Sequence, residues 1–358
     1  MSMNRRKLLM ALAIVSLSAL HAAACGSDHD NGGSGEYVPS EEDLQFINSV
    51  PDADSLLMSI PSASDQDSEA KLLAKVGETS QYYLVTRKCM HELNFGLNSM
   101  LSIIEEVLEL PPTETTAETR IWQAEQPLSG MDSFVPRFRM NRLDASSFYY
   151  MYEWRPKDEP EGWIKIWWGE IVPDESAIHR GKGEMHFDFD TAAEIDSSIS
   201  ERGMLDIEFD TRTTNGRSIK VSLTDFTSQT DDDSPASGTY GFSETPELEG
   251  SFSFDIESNW APESYEYENL AVETRWQSDG TGQSQVVITG DGIDIDHSGL
   301  EMIEVRECWN GSFKETYGVS IYHFEKGSEA DDLGQNPFYS EEEGNARTCP
   351  FSFESMAD

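Results

Sequence analysis

The stretch Leu205–Asp210 reads LDIEFD, with an apolar side chain at every second position and an acid at each position between. The same alternation recurs in three other runs: Glu184–Asp190, Ile219–Thr224 and Phe252–Glu257. A period of two residues is typical of antiparallel strands with one buried face and one face in water. A turn signal, Asn215-Gly216, separates two of these runs. These patterns predict a mainly β fold.

One segment, Ser80–Leu110, has a helical period instead. Its apolar residues recur every three or four positions, and Pro111-Pro112 ends the pattern. A shorter helix is expected from Ser40, which with Asp43 forms a capping-box signature.

The predicted fold is therefore mainly β (α+β), with about ten to thirteen strands. The strands form a large antiparallel β-meander packed with one long N-terminal α-helix. Either the meander curls into a half-barrel around the helix, or it closes into a barrel with the helix outside.

The chain begins with a basic segment, Asn4–Lys7, an apolar run, Leu8–Leu20, and three alanines directly before Cys25. This order is typical of a signal peptide, and the apolar run is too short to span a bilayer as a helix. A cysteine in this position resembles the lipobox of bacterial lipoproteins. The resemblance implies that Cys25 becomes the mature N-terminus and carries acyl chains. Gly26 follows it, and in resembling proteins this implies sorting to the outer membrane.

Two alternatives remain open at this leader. Ala22–Ala24 also satisfies an ordinary signal-peptidase site, which would release a secreted protein with a plain Cys25. Arg5-Arg6 faintly resembles a twin-arginine signal, so the export route is open as well.

We expect four segments along the chain. Residues 1–24 form the signal peptide, and residues 25–40 form the lipidated cysteine and a flexible tether rich in Gly, Ser and Asp. Residues 41–112 form an N-terminal helical segment, and residues 113–358 form an antiparallel β domain packed on the long helix. This order of parts, with a late Glu307–Trp309 (ECW), is similar to that of uncharacterised bacterial cell-envelope lipoproteins.

The sequence has 67 acidic and 25 basic residues, which gives a formal net charge of −42 at pH 7. Cleavage before Cys25 would change −42 to −45, because three basic residues and no acid would be lost. Such a charge excludes nucleic acid as an expected partner, since phosphate backbones require a basic face. Attachment to a membrane would therefore depend on the acyl chains of Cys25.

Three cysteines remain if Cys25 is acylated. We expect a structural disulfide between Cys308 and Cys349, because both lie in the C-terminal segment while Cys89 falls on the predicted helix. An oxidising compartment permits such a bond. A redox role would require a motif such as C-x-x-C, which the sequence lacks.

No enzyme motif is recognisable, and neither a G-x-S-x-G elbow nor a G-x-x-x-x-G-K-[ST] phosphate loop occurs. The nearest approach to a metal site is a calcium-loop pattern with oxygen ligands at positions 1, 3 and 5: Asp294, Asp296 and Ser298. Val305 stands where a bidentate glutamate is required, so a strand end with an acidic wet face is the alternative. No other cofactor is expected.

A second acidic group falls on the wet faces of two predicted neighbouring strands: Asp188, Asp190, Asp206, Glu208 and Asp210. Like charges directly opposite each other destabilise a sheet. Salt, cations or basic side chains are therefore expected to screen these acids.

The sequence thus predicts a non-enzymatic binding or structural domain, held as a lipoprotein in the cell envelope at the outer membrane and facing the periplasm or the cell surface. Its partner is an envelope protein or a ligand that the sequence does not identify. The alternative is a periplasmic carrier of a lipid or other hydrophobic ligand, held between the helix and the curved sheet. The aromatic hairpin Tyr149–Trp168 and the wide apolar stripe of Ser80–Leu110 motivate this alternative, and its architecture resembles that of periplasmic carriers of lipids and lipoproteins.

Overall fold

The computed structural model describes most of the chain from residue 37 onward. The described residues are 37–61, 75–123, 134–197, 199–214, 216–227, 236–258, 268–290, 299–324 and 338–353. Cys25 and the candidate calcium ligands Asp294, Asp296 and Ser298 lie outside them.

In this part of the chain, fifteen antiparallel strands form a large sheet whose strand order follows the sequence. The fold is mainly β, as predicted, but the sheet is not closed, so the closed-barrel alternative is wrong. Its first strand, Glu114–Thr115, is only two residues long, and its last strand carries three successive acids, Glu341–Glu343. Short and charged edge strands oppose further pairing, which is a physical reason for the open sheet.

In the described residues, three α-helices accompany the strands, so the prediction of one long N-terminal helix is also wrong. They are α1 (Glu41–Ile47), α2 (Gln81–Leu108) and α3 (Phe189–Ile195). The predicted long helix corresponds to α2, and the predicted short helix to α1.

The described chain divides into two compact units. The N-terminal unit comprises the described residues within Val15–Leu57 and Glu92–Gln229. Its strands form a meander: β1 (Glu114–Thr115), β2 (Thr119–Gln123), β3 (Phe134–Arg142), β4 (Phe148–Pro156), β5 (Ile164–Pro173), β6 (Gly181–Asp188), β7 (Arg202–Asp210) and β8 (Arg217–Thr227).

The C-terminal unit comprises the described residues within Met58–His91 and Thr230–Asp358. Its strands form a second meander, followed by a short 3₁₀ helix, Ala346–Thr348: β9 (Ala236–Glu244), β10 (Gly250–Ser258), β11 (Glu268–Trp276), β12 (Gly282–Gly290), β13 (Leu300–Trp309), β14 (Glu315–Phe324) and β15 (Phe338–Gly344). Helix α2 thus contributes residues to both units.

Helix α1 is fixed to the N-terminal unit by a buried ion pair. Its N-cap Ser40 forms the predicted capping box with Asp43. The Asp43 carboxylate also accepts a hydrogen bond of 2.5 Å from Nε of Arg120 on β2, and the guanidinium stacks over Phe46. Burial by itself would raise the pKa of Asp43, but hydrogen bonds from Ser40 and Arg120 outweigh it and lower the pKa to about 2.

Helix α3 interrupts a run that the sequence pattern predicts as strand. The alternation of Glu184–Asp190 holds only as far as Asp188, which ends β6 and caps the helix by accepting a 2.8 Å bond from the N–H of Thr191. The side chain of Asp190 leaves the strand face and accepts from the N–H of Gly203. At this point the chain therefore forms a helix capped by Asp188, although the alternating pattern predicts that the strand continues.

Candidate functional site

Three successive residues at the end of β13, Glu307-Cys308-Trp309, join three different parts of the C-terminal unit. All three are buried. Glu307 and Trp309 contact the first turn of α2, whereas Cys308 bonds to the segment after β15. We call these three residues the clamp.

Glu307 caps the long helix from a strand more than two hundred residues away in the sequence. Its carboxylate accepts hydrogen bonds from the N–H groups of Gln81, at 2.7 Å, and of Tyr82, at 2.8 Å. The hydroxyl of Ser80 accepts from the N–H of Tyr83 at 3.3 Å. Three of the free N–H groups in the first turn of α2 are thereby satisfied, and the negative charge lies at the positive end of the helix dipole.

The segment before α2, residues 77–80, pairs with the turn after the clamp; we call it the strap. The N–H of Gly77 donates to the carbonyl oxygen of Glu315, and the N–H of Glu315 donates to that of Glu78, both at 2.9 Å. Ser80 donates its N–H to the carbonyl of Phe313. The strap therefore ties the start of α2 to the β13–β14 turn through backbone bonds.

A second buried carboxyl lies beside Glu307. Residue 318, which faces Glu307 across β13 and β14, is a glycine, and Oε1 of Glu315 occupies the space that a Cβ there would fill. The two carboxyl groups are within hydrogen-bonding reach of each other. Burial, together with the neighbouring charge of Glu307, raises the pKa of Glu315 to about 9.

The other clamp residues provide a covalent bond and an aromatic core. Cys308 forms a disulfide with Cys349, which confirms the predicted pairing. Trp309 is fully buried, donates from Nε1 to the carbonyl of Gly280 at 3.0 Å, and lies 5.9 Å from Tyr83 between ring centroids. Phe313 stacks on the same tyrosine at 4.5 Å.

A chain of buried hydroxyls continues from the clamp into the C-terminal unit. Thr86 of α2 and Thr274 of β11 lie 2.7 Å apart between hydroxyl oxygens, and Thr274 lies 2.7 Å from Ser284 of β12. Ser284 is the cross-strand neighbour of Glu307. Beside the clamp, a second set of buried polar groups therefore links α2 to the sheet.

The second acidic group is accounted for by local partners. Strands β6 and β7 are neighbours, as predicted, and Asp206 bonds Nδ1 of His186 at 2.6 Å. Glu208 contacts Nζ of Lys220 at 3.2 Å, and Asp210 pairs with Arg212. Basic side chains and helix capping therefore screen these acids.

A pocket in the N-terminal unit lies where the carrier alternative places its ligand. The second half of α2, helix α3 and strands β4–β6 line it, with Met100, Trp154, Trp167 and Phe187 among its walls. Its volume is about 40 Å³. That is room for a few water molecules, whereas ligand sites have volumes of roughly 300–1,000 Å³. The pocket does not favour a lipid carrier.

The aromatic hairpin has a buried face and a face covered by cations. Outward-facing Trp163 and Trp168 are half-buried. The guanidinium of Arg137 lies 3.9 Å from the ring centroid of Trp163, and Nζ of Lys165 lies 3.8 Å from that of Trp168. His186 stacks on the same Trp168 at 5.4 Å. Cation–π stacks therefore cover the outward-facing rings of this hairpin.

The calcium hypothesis at Asp294, Asp296 and Ser298 stays a prediction, because these residues lie outside the described ranges. Within those ranges, no group of three or more His, Cys, Asp or Glu side chains is placed to hold a metal ion. No described helix combines the length and the apolar character needed to cross a membrane.

Sequence reasoning missed the roles of Glu307 and Glu315. One signal was present, because Glu307 has the same strand parity as the apolar Ile303 and Val305 and therefore falls on the buried face of β13. A glutamate in such a position requires a buried partner. The identity of that partner, the start of a helix far away in the sequence, has no local signature.

No protein-family model matches the chain, and it matches no curated protein and no solved structure.

Proposed function

We propose that this chain is an exported lipoprotein of the cell envelope. In this proposal, acyl chains on Cys25 hold it at the outer membrane or the cell surface, and residues 41–358 form a non-enzymatic structural or binding domain. The observation that carries the proposal of export is the disulfide between Cys308 and Cys349. Such bonds persist in oxidising compartments and are rare in the cytosol.

The order of the leader supports the anchor. A basic start, an apolar run and Ala22–Ala24 precede Cys25, and a tether rich in Gly and Ser follows it. A Gly/Ser-rich linker as long as residues 26–39 spans roughly 20 Å in general, which is enough to hold a folded domain close to a bilayer.

The use of the buried acids supports a structural or binding role. Glu307 is bonded to the first turn of α2, and Glu315 is enclosed beside it. These two perturbed carboxyls therefore serve to hold the fold. The small pocket volume favours this role over a half-barrel carrier. A net charge of −42 favours a partner with a basic surface, if the domain binds a protein.

Metabolic labelling with palmitate in a bacterial host tests the anchor. Full-length wild-type chain should incorporate label, and globomycin, which blocks lipoprotein signal peptidase, should cause the larger precursor to accumulate. Cys25→Ser is the variant that should lose the label, and Cys89→Ser is the matched control that should keep it. A wild-type chain that is exported, cleaved and unlabelled would contradict lipidation and leave the ordinary signal-peptidase alternative.

A further inference from the structure

The carboxyl pair Glu307 and Glu315 is arranged as a proton-binding site. Both residues are about 2 % exposed, and Oε2 of Glu315 is buried without a hydrogen-bond partner among the described residues. Two adjacent carboxyl groups that are this well shielded from solvent cannot both carry a charge at low cost, so one proton is retained between them.

The surroundings decide which carboxyl keeps that proton. Burial raises the pKa of Glu307, but two backbone N–H groups at the positive end of α2 and the side chain of Ser80 donate to its carboxylate and oppose that rise. Glu315 has no comparable donors and lies beside the charge of Glu307. The protonated group is therefore Glu315, which donates its O–H to the Glu307 carboxylate.

The other titratable groups around the pair do not relieve a second negative charge. Glu78 of the strap and Glu343 of β15 both act on Glu315 as further negative charges. Tyr82 of α2 faces Glu307, and Tyr322 of β14 faces Tyr82. Lys314, the nearest residue in sequence to Glu315 that carries a positive charge, directs its Nζ to the hydroxyl of Thr79 at 2.9 Å. Deprotonation of the pair would thus place two charges in an acidic surrounding.

We propose that the proton shared by Glu307 and Glu315 is a pH-sensitive latch, and that its loss to solvent releases the strap and the first turn of α2 from β13 and β14. The strap is held by a few backbone bonds and by the turn around Phe313, so a second carboxylate charge acts directly on this attachment. The disulfide and Trp309 stay in place, because neither depends on the proton. The latch is closed at acid and neutral pH and opens as the pH rises.

The sign of the pH dependence follows from the pKa of Glu315, which is higher in the closed state than in the open state. In the open state Glu315 is in water and loses its proton near the ordinary pKa of a glutamate, whereas in the closed state it keeps the proton to a much higher pH. Between these two values each rise of one pH unit favours the open state about tenfold. This dependence is absent if residue 315 cannot titrate.

Hydrogen exchange of the full chain between pH 6 and 8.5 tests the latch. After correction for the intrinsic exchange rate, the protection factors of the amides in the first turn of α2 should fall about tenfold per pH unit. Glu315→Gln keeps the size of the side chain and should abolish this slope. Glu301→Gln, at an exposed position on β13, is the matched control and should retain it.

Three results would overturn the proposal: a flat profile in the wild type, a slope that persists in Glu315→Gln, or an equal slope in the amides of β4. The last result would mean that the whole fold opens rather than the strap. The comparison of α2 with β4 uses only the wild type, so it decides the local character of the release even if Glu315→Gln does not fold.

Discussion

Replacement of Glu307 by alanine tests how much of the fold depends on the clamp. The substitution removes the carboxylate that accepts from Gln81 and Tyr82. Both N–H groups lie at buried positions, and the carboxylate supplies the partner for each. Water cannot easily replace it, because Glu307 is only about 2 % exposed.

The magnitude follows from the two unsatisfied donors. Each buried N–H without a partner costs about 1–3 kcal/mol, so the loss of both partners in Glu307→Ala should lower the free energy of unfolding by about 2–6 kcal/mol. Glu307→Gln should cost about 1–3 kcal/mol, because its carbonyl oxygen still accepts one of the two bonds. The expected order of stability is therefore wild type, then Gln, then Ala.

Urea unfolding at pH 7, followed by tryptophan fluorescence, measures these differences. Glu301→Ala is the matched control, since Glu301 is an exposed glutamate on the same strand, and it should lie within about 0.5 kcal/mol of the wild type. A Glu307→Ala variant that also lies within 0.5 kcal/mol would refute the view that this carboxylate holds α2 on the sheet.

Three further predictions concern other parts of the fold. Asp43 has a pKa of about 2 in the folded state, below its ordinary value, so the stability that it provides is present above pH 4 and lost as the pH falls toward 2. In urea titrations, Asp43→Asn should therefore lower the free energy of unfolding by about 1–3 kcal/mol at pH 7 and by less at pH 2.5. The double variant Cys308→Ser, Cys349→Ser opens a loop of 41 residues and should lower the free energy of unfolding by about 4 kcal/mol. An unchanged unfolding midpoint would exclude a stabilising bond. Gly169→Ala would drive a methyl group into a backbone carbonyl of β6 and should lower the free energy of unfolding by about 2–4 kcal/mol. The control Gly241→Ala meets only a serine hydroxyl at 3.0 Å and should lower it by less than 1 kcal/mol. Equal thermal midpoints of the two variants would contradict the packing at β5 and β6.

The periodic parts of the fold were predictable because their signals are local. The alternation in Leu205–Asp210 gives β7 its buried and wet faces, and the apolar stripe of Ser80–Leu110 corresponds to α2. The capping box at Ser40 identified the start of α1, because its two partners lie three residues apart. The Cys308–Cys349 pair could be chosen because only three cysteines follow Cys25 in the sequence.

The rest depends on contacts between distant residues. Asp188 ends β6 as a helix cap, yet in the sequence it continues an unbroken alternation of apolar and polar residues. The meeting of Glu307 with α2 requires the strap to pair with Phe313–Glu315, and no spacing in the sequence encodes that pairing. Closure of the sheet likewise depends on its two edge strands, whose shortness and charge are clear only once their register is known.

Intact-mass analysis of the chain recovered from a bacterial membrane fraction tests the proposed function most directly. We predict a measured mass equal to that of residues 25–358 plus a diacylglyceryl group and an amide-linked acyl chain on Cys25, less two hydrogens for one disulfide. Reduction should add those two hydrogens. A chain that retains residues 1–24, or a mature chain with an unmodified Cys25 or without the disulfide, would contradict the account of an exported and lipid-anchored domain.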